Sequence, residues 1–98
     1  MKTTSQVYIV TDDDTGEARV FAKRKNAINM MYRKCKDWGS PLYIAIKKHG
    51  IYQYTDISKL YPTEQEQLDY LYLSEIPELN DIFECYWFIQ KCDIEDAD

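Results

Sequence analysis

Five stretches of the chain carry the pattern of strands, and two recur at helical spacing. Val7 to Thr11 is the first alternating stretch, with Val7 and Ile9 on one face and Tyr8 and Val10 on the other. Both faces are apolar, which predicts a strand covered on both sides or near the middle of its sheet. Asp12-Asp13-Asp14-Thr15-Gly16 then reads as a tight turn, and Ala18 to Ala22 as the returning strand. Lys23 to Trp38 changes period. With a step of ~100° per residue, Ala27, Ile28, Met31, Tyr32, Cys35 and Trp38 fall in one stripe. Arg24 falls in the same stripe at the first turn, where its long stem can carry the charge back to water. Gly39 and Pro41 stop this helix.

Leu42 to Ile46 and Ile51 to Ile57 form a second hairpin around Lys47-Lys48-His49-Gly50. Thr63 and Glu66 carry a capping-box signature, so a helix is predicted from Glu64 to about Leu73, burying Leu68, Leu71 and Tyr72. Ser74 to Asp81 reads as a connector broken by Pro77. Ile82 to Ile94 alternates again, with Phe83, Cys85, Trp87 and Ile89 against Glu84, Tyr86, Phe88 and Gln90. Its aromatic and β-branched content predicts a strand, the alternative being a helix through Ile82, Tyr86 and Ile89. The expected architecture is a single α+β domain over residues 1–98. Its order is ββαββαβ: a mainly antiparallel sheet of about five strands, two hairpins and a C-terminal strand, packed with two helices, and an acidic tail fraying from Asp93 to Asp98.

Composition changes this picture in one respect. The 98 residues carry a net charge of −5, but the charges are segregated. Arg19 to Lys48 holds nine basic residues against the single acid Asp37, a net of +8, whereas Leu60 to Asp98 holds eleven acids against Lys91, a net of −10. Such asymmetry bears on partners rather than on fold. Nine of the aromatic residues are tyrosines, and Tyr61, Tyr70 and Tyr72 are interleaved with the acids. Tyrosine joins apolar area to a hydrogen-bonding tip and suits interfaces.

Candidate chemistry is sparse. A calcium loop with Gly16 at its sixth position would need a bidentate glutamate where Ala22 stands. Cys35, His49, Cys85 and Cys92 lack the close ligand pairs of a zinc site, and three cysteines without framework spacing suit a reducing compartment. One histidine, placed in a turn, and three isolated glycines offer neither a nucleophile–base pair nor a phosphate loop. No catalytic residue, cofactor or metal is expected, nor a targeting segment or membrane span; the expected location is the cytoplasm.

The favoured function is therefore a non-enzymatic protein-binding module that sets an acidic, tyrosine-bearing surface of Glu64, Glu66, Asp69, Tyr70, Glu75, Glu78, Asp81 and Glu84 against a basic partner surface. One alternative is nucleic-acid binding through Lys25, Arg33, Lys34 and Lys36 on the basic helix. Another is a self-associating structural protein in which the two charged regions of different copies meet.

At class level the chain resembles small acidic proteins encoded by phages and mobile elements that bind and block host factors. The likeness rests on its short length, on the hairpin running into a helix through Val20-Phe21-Ala22 and Asn26-Ala27, and on the tyrosine-rich acidic C-terminal part. The resemblance implies stoichiometric inhibition in the cytoplasm of a host cell, sometimes by DNA mimicry, and sometimes directed at restriction or CRISPR machinery. The +8 segment departs from a pure DNA mimic, which is acidic nearly all over.

Overall fold

The computed structural model describes residues 3–83 and 87–96. The fold is α+β with antiparallel sheets. In chain order the elements are β1 (Thr3–Asp12), β2 (Ala18–Phe21), α1 (Arg24–Asp37), β3 (Tyr43–Lys48), β4 (Ile51–Asp56), α2 (Ile57–Leu60), α3 (Glu64–Leu73), α4 (Ile76–Ile82) and β5 (Trp87–Asp96).

The five strands do not share one sheet. β1 lies between β2 and β5 in a three-stranded sheet, and β3 and β4 form a two-stranded sheet of their own. β1 is thus near the middle of its sheet, as its two apolar faces suggest. Register places Tyr8, Val10, Phe21, Trp87 and Ile89 on the face that carries the core. Val7, Ile9, Val20, Phe88, Cys92 and Ile94 line the opposite face, where Val20 is 62% exposed.

The second hairpin joins neither outer edge of this sheet. β2 is only four residues long. On the outer edge of β5, the Ile89 N–H donates to Asn80 Oδ1 (2.8 Å) and Asn80 Nδ2 donates to the Ile89 carbonyl (3.0 Å). A side-chain amide thus takes the place of a neighbouring strand at that point. The hairpin instead packs Ile44 into the common core.

Local rules account for most elements. The Asp12 carboxylate accepts from the Asp14 N–H (2.9 Å) and the Thr15 N–H (3.4 Å), so the aspartate-rich turn is held by its own side chain. α1 buries Ala27, Ile28, Met31, Tyr32 and Cys35, the expected stripe, but Trp38 is the C-cap and is 70% exposed. Arg24 does not reach out to water. It is half-buried and donates to the Tyr72 carbonyl in the last turn of α3 (2.7 Å), capping a carbonyl left over at that helix end. The Tyr72 hydroxyl donates to Asn29 Oδ1 and adds a second tie between α1 and α3. Asp56 caps α2, accepting from the N–H and hydroxyl of Ser58 (2.9 and 2.8 Å); these bonds hold its carboxyl below the usual carboxylate range.

Three further expectations need correction. Ser74 to Asp81 is not a connector: Pro77 sits in the first turn of α4, where a missing N–H costs nothing, and the Glu75 N–H donates to the Glu78 carboxylate (3.4 Å). The C-terminal strand does not start at Ile82, which closes α4. The strand described is Trp87–Asp96, and Ile89 is a strand residue rather than part of a helix. Asp93 to Asp96 does not begin a frayed tail but continues β5, pairing with Thr3 to Gln6. The remainder of the expected tail, 97–98, and the segment 84–86 lie outside the described residues. No helix among the described residues is long and apolar enough to cross a membrane.

Candidate functional site

α3 is the spine of the acidic surface. Thr63 Oγ1 accepts from the Glu66 N–H (3.2 Å), so the predicted N-cap is formed, but Glu66 Oε1 accepts from the Thr63 hydroxyl (2.8 Å), so only half of the predicted capping box is present. Gln67, Leu68 and Leu71 are buried. The residues beside them in the helical turn, Glu66, Asp69, Tyr70 and Leu73, therefore face outward along one side.

Two grooves meet on this side. The first, of about 300 Å³, is lined by Tyr61, Glu66, Asp69, Tyr70 and Leu73. Leu73 is 88% exposed, and the Tyr61 and Tyr70 rings pack at 5.2 Å between centroids. The second, of about 140 Å³, is lined by Tyr43, Ala45, Tyr54, Tyr70, Glu78, Asp81 and Ile82. It lies between the outward face of the β3–β4 hairpin and helices α3 and α4. Tyr70 belongs to both grooves. Its phenol is raised above the ordinary tyrosine range, first by partial burial, then by the negative charge of Glu78 and the neighbouring Tyr61.

Five of the eight residues expected on the acidic surface are thus gathered: Glu66, Asp69, Tyr70, Glu78 and Asp81. Glu64 is exposed in the first turn of α3 and lines neither groove. Glu75, the N-cap of α4, faces a separate pocket with Tyr8, Arg24 and Lys91. Glu84 lies outside the described residues. Tyr72, expected in the buried stripe of α3 and interleaved with its acids, is half-buried against the core and turns toward α1, where Lys25 Nζ lies 5.2 Å from its ring centroid. Tyr43 and Tyr54 were not anticipated. Their signal was the hairpin alternation itself, which puts both on the face opposite buried Ile44.

The basic residues of α1 are differently placed. Lys34 Nζ lies 5.7 Å from the Trp87 ring centroid and Lys36 Nζ 5.4 Å from that of Tyr32, so with Lys25 three of the four candidates for nucleic-acid contact sit over rings of the chain itself. Arg33 is exposed. Among the described residues the one ion pair joins Arg19 to Glu17 (3.0 Å). The carboxylates of α3 and α4 are therefore not neutralised by ion pairs with the lysines of α1. Of the residues weighed as metal ligands, Cys35 is buried on α1, His49 is exposed at the hairpin turn, Cys92 is half-buried on β5, and Cys85 lies outside the described residues.

The charge on Glu78 makes a direct prediction. Glu78→Gln is expected to bring the titration of Tyr70 down toward the ordinary tyrosine value, read from alkaline ultraviolet difference spectra of wild type, Glu78→Gln and Tyr70→Phe. A raised folded-state value favours the neutral phenol, so its contribution to stability is complete below about pH 10 and fades as pH rises through that value. An unchanged alkaline profile in Glu78→Gln would remove the carboxylate as a cause.

Compared with protein-family models, curated proteins and solved structures, the chain matches none.

Proposed function

We propose that the chain is a non-enzymatic protein-binding module, a stoichiometric inhibitor or adaptor, that docks its acidic tyrosine-lined grooves on a basic surface of a partner protein. The observation that supports this most is the position of Tyr70: one half-buried aromatic ring forms the shared wall of two grooves whose other walls bring Glu66, Asp69, Glu78 and Asp81. Aromatic anchors surrounded by polar rims are where binding energy concentrates at interfaces. Exposed Leu73 and the Tyr61 ring supply the apolar floor, and the carboxylates supply long-range attraction and a salt-sensitive association rate. The class-level resemblance to small acidic phage and mobile-element inhibitors points the same way, and a nucleic-acid-binding protein is the kind of partner that carries such a basic surface.

The test compares three forms of the protein in affinity capture with mass-spectrometric identification. Wild type is expected to retain a basic protein, and the capture is expected to weaken with added salt. The triple variant Glu66→Lys, Asp69→Lys, Glu78→Lys is expected to lose it. The variant Lys25→Glu, Arg33→Glu, Lys34→Glu is expected to keep it. Capture unchanged by the first set of reversals overturns the reading. So does retardation of DNA at ~50 mM salt that is abolished by the second set, which would move function to α1.

A further inference from the structure

The hairpin that walls the second groove has an unusual free edge. His49 and Gly50 both have positive φ (53° and 79°), the geometry of a two-residue turn of the kind that joins tightly paired strands. The residues flanking such a turn exchange both backbone hydrogen bonds, so Lys48 and Ile51 face each other inward. The pairs Ile46–Gln53 and Ile44–Thr55 follow, and the ladder continues to Leu42, whose carbonyl accepts from the Ile57 N–H (2.8 Å). The backbone N–H and carbonyl groups of Tyr52 and Tyr54 must then point away from β3, along the outer edge of β4. Among the described residues β4 has no strand neighbour on that side.

Proteins blunt open edges with charge, proline, bulges or a covering element. Ile51-Tyr52-Gln53-Tyr54-Thr55 has neither charge nor proline, and it pairs with β3 without a bulge. Ile51, Tyr52 and Tyr54 are all more than 60% exposed. β5, by contrast, has its outer edge closed at Ile89 by Asn80. A two-stranded sheet alone is also marginal in water, and further strands stabilise it.

We infer that β4 pairs antiparallel with β4 of a second copy, joining two hairpins into a four-stranded sheet about a two-fold axis at Gln53. The register follows from the outward-pointing groups. Tyr52 exchanges both hydrogen bonds with Tyr54 of the second copy, and Tyr54 with its Tyr52, which sets two aromatic pairs across the seam. The turn of each copy, with Lys47 beside it on the face that also carries Asp56, comes level with Asp56 of the other, so charge is complementary at both ends, while Ile51 to Thr55 carry none. A basic partner strand would lack this match, because Lys47 and Lys48 already flank the edge. Gln53 meets its own copy on the face away from the groove. A two-fold axis normal to the sheet keeps both tyrosine faces on one side. The dimer then presents two acidic grooves in the same direction, and a partner with two basic patches would be held bivalently. That last consequence rests on the function proposed above; the pairing itself does not.

The experiment is sedimentation velocity of the full chain over a roughly hundredfold range of concentration, where mass action separates monomer from dimer. Wild type is expected to dimerise. Gln53→Lys and Gln53→Glu, each placing like charges on the axis, are expected to weaken the dimer by roughly tenfold or more. An equimolar mixture of the two is expected to restore it, as a protein unable to fold could not. Tyr52→Pro removes an N–H only from the free edge and is expected to give a folded monomer by circular dichroism. A wild type that stays monomeric overturns the inference. A dimer untouched by both Gln53 substitutions also overturns it, and assigns self-contact to another surface, such as the outer face of the three-stranded sheet. The Gln53 variants are expected to capture a single basic partner as wild type does. Loss of dimer with capture intact, or the reverse in the groove reversals, therefore separates this inference from the proposed function.

Discussion

Gln67→Ala is expected to destabilise the protein by about 3 kcal/mol, the sum of a small cavity and two orphaned polar groups in a buried site. Gln67 is 3% exposed and joins three elements. Its Oε1 accepts from the Tyr32 hydroxyl of α1 at 2.6 Å, and its Nε2 donates to the carbonyl of Tyr61, the C-cap of α2, at 2.8 Å. Tyr32 is itself among the largest fully buried side chains. Alanine would leave that hydroxyl without its partner in the core and free the α2–α3 connection, where the Tyr61 ring forms a wall of the first groove. Against a total stability of roughly 5–15 kcal/mol the loss is large, and urea denaturation at constant m-value measures it directly. Tyr32→Phe is expected to cost less, about 1–2 kcal/mol, because it removes the buried donor and leaves one unmet acceptor. Tyr32→Phe with Gln67→Leu is expected to be milder than the two single losses added together, since donor and acceptor leave as a pair. A loss below about 1 kcal/mol for Gln67→Ala would mean that water replaces the amide, and that the network does not position the groove.

The buried network was not legible in the sequence, and the reason is instructive. A glutamine between Glu66 and Leu68 looks like one more polar residue of a solvated helix. Only the docking of α3 on α1 turns it inward. What was legible is what short-range rules decide. Thr63 and Glu66 announced the start of α3 because the capping bonds span three residues. The α1 stripe from Ala27 to Cys35 followed from helical spacing, and the β3–β4 pairing from alternation about a glycine turn. Pro77 hides α4 in the sequence because the same ring that breaks a helix interior is at home in a first turn, and Glu75 and Glu78 look like surface charge rather than a helix start. The separation into two sheets is likewise tertiary: β3 and β4 pair only with each other, and at Ile89 the edge of β5 is occupied by the Asn80 side chain rather than by a strand.

The candidate site divides along the same line. Glu66, Asp69 and Tyr70 gather because they are three and four residues apart on one helix, and periodicity shows that. Glu78 and Asp81 join them only because α4 exists and packs on β5. Tyr43 and Tyr54 arrive from a hairpin far away in sequence. The segregation of charge was visible from the outset, but it did not reveal that the basic residues of α1 would lie over Tyr72, Trp87 and Tyr32.

The bond pair at Asn80 fastens α4, which carries two residues of the site, to β5, and Asn80→Ala is expected to cost about 2–3 kcal/mol. Ile89 is fully buried, and its N–H and carbonyl face away from β1, so after the substitution both lose the partner that replaced water. Asn80→Asp separates this from side-chain size. It preserves the shape and an acceptor for the Ile89 N–H, but turns the donor that faced the Ile89 carbonyl into an oxygen, so it is expected to be destabilising as well rather than benign. Native-state hydrogen exchange reads the effect locally: protection of the Ile89 amide is expected to fall in both variants, and further than that of Tyr32 or Met31 on α1, because β5 and α4 loosen from each other first. The functional consequence follows from what α4 carries. Glu78 and Asp81 wall the second groove, and a helix no longer fastened to β5 cannot hold them opposite Tyr43 and Tyr54. Capture of a basic partner is therefore expected to weaken in Asn80→Ala even at temperatures where the protein is still folded. If stability and exchange at Ile89 were unchanged, the amide clip would be dispensable, and packing alone would hold α4 and its two carboxylates on β5.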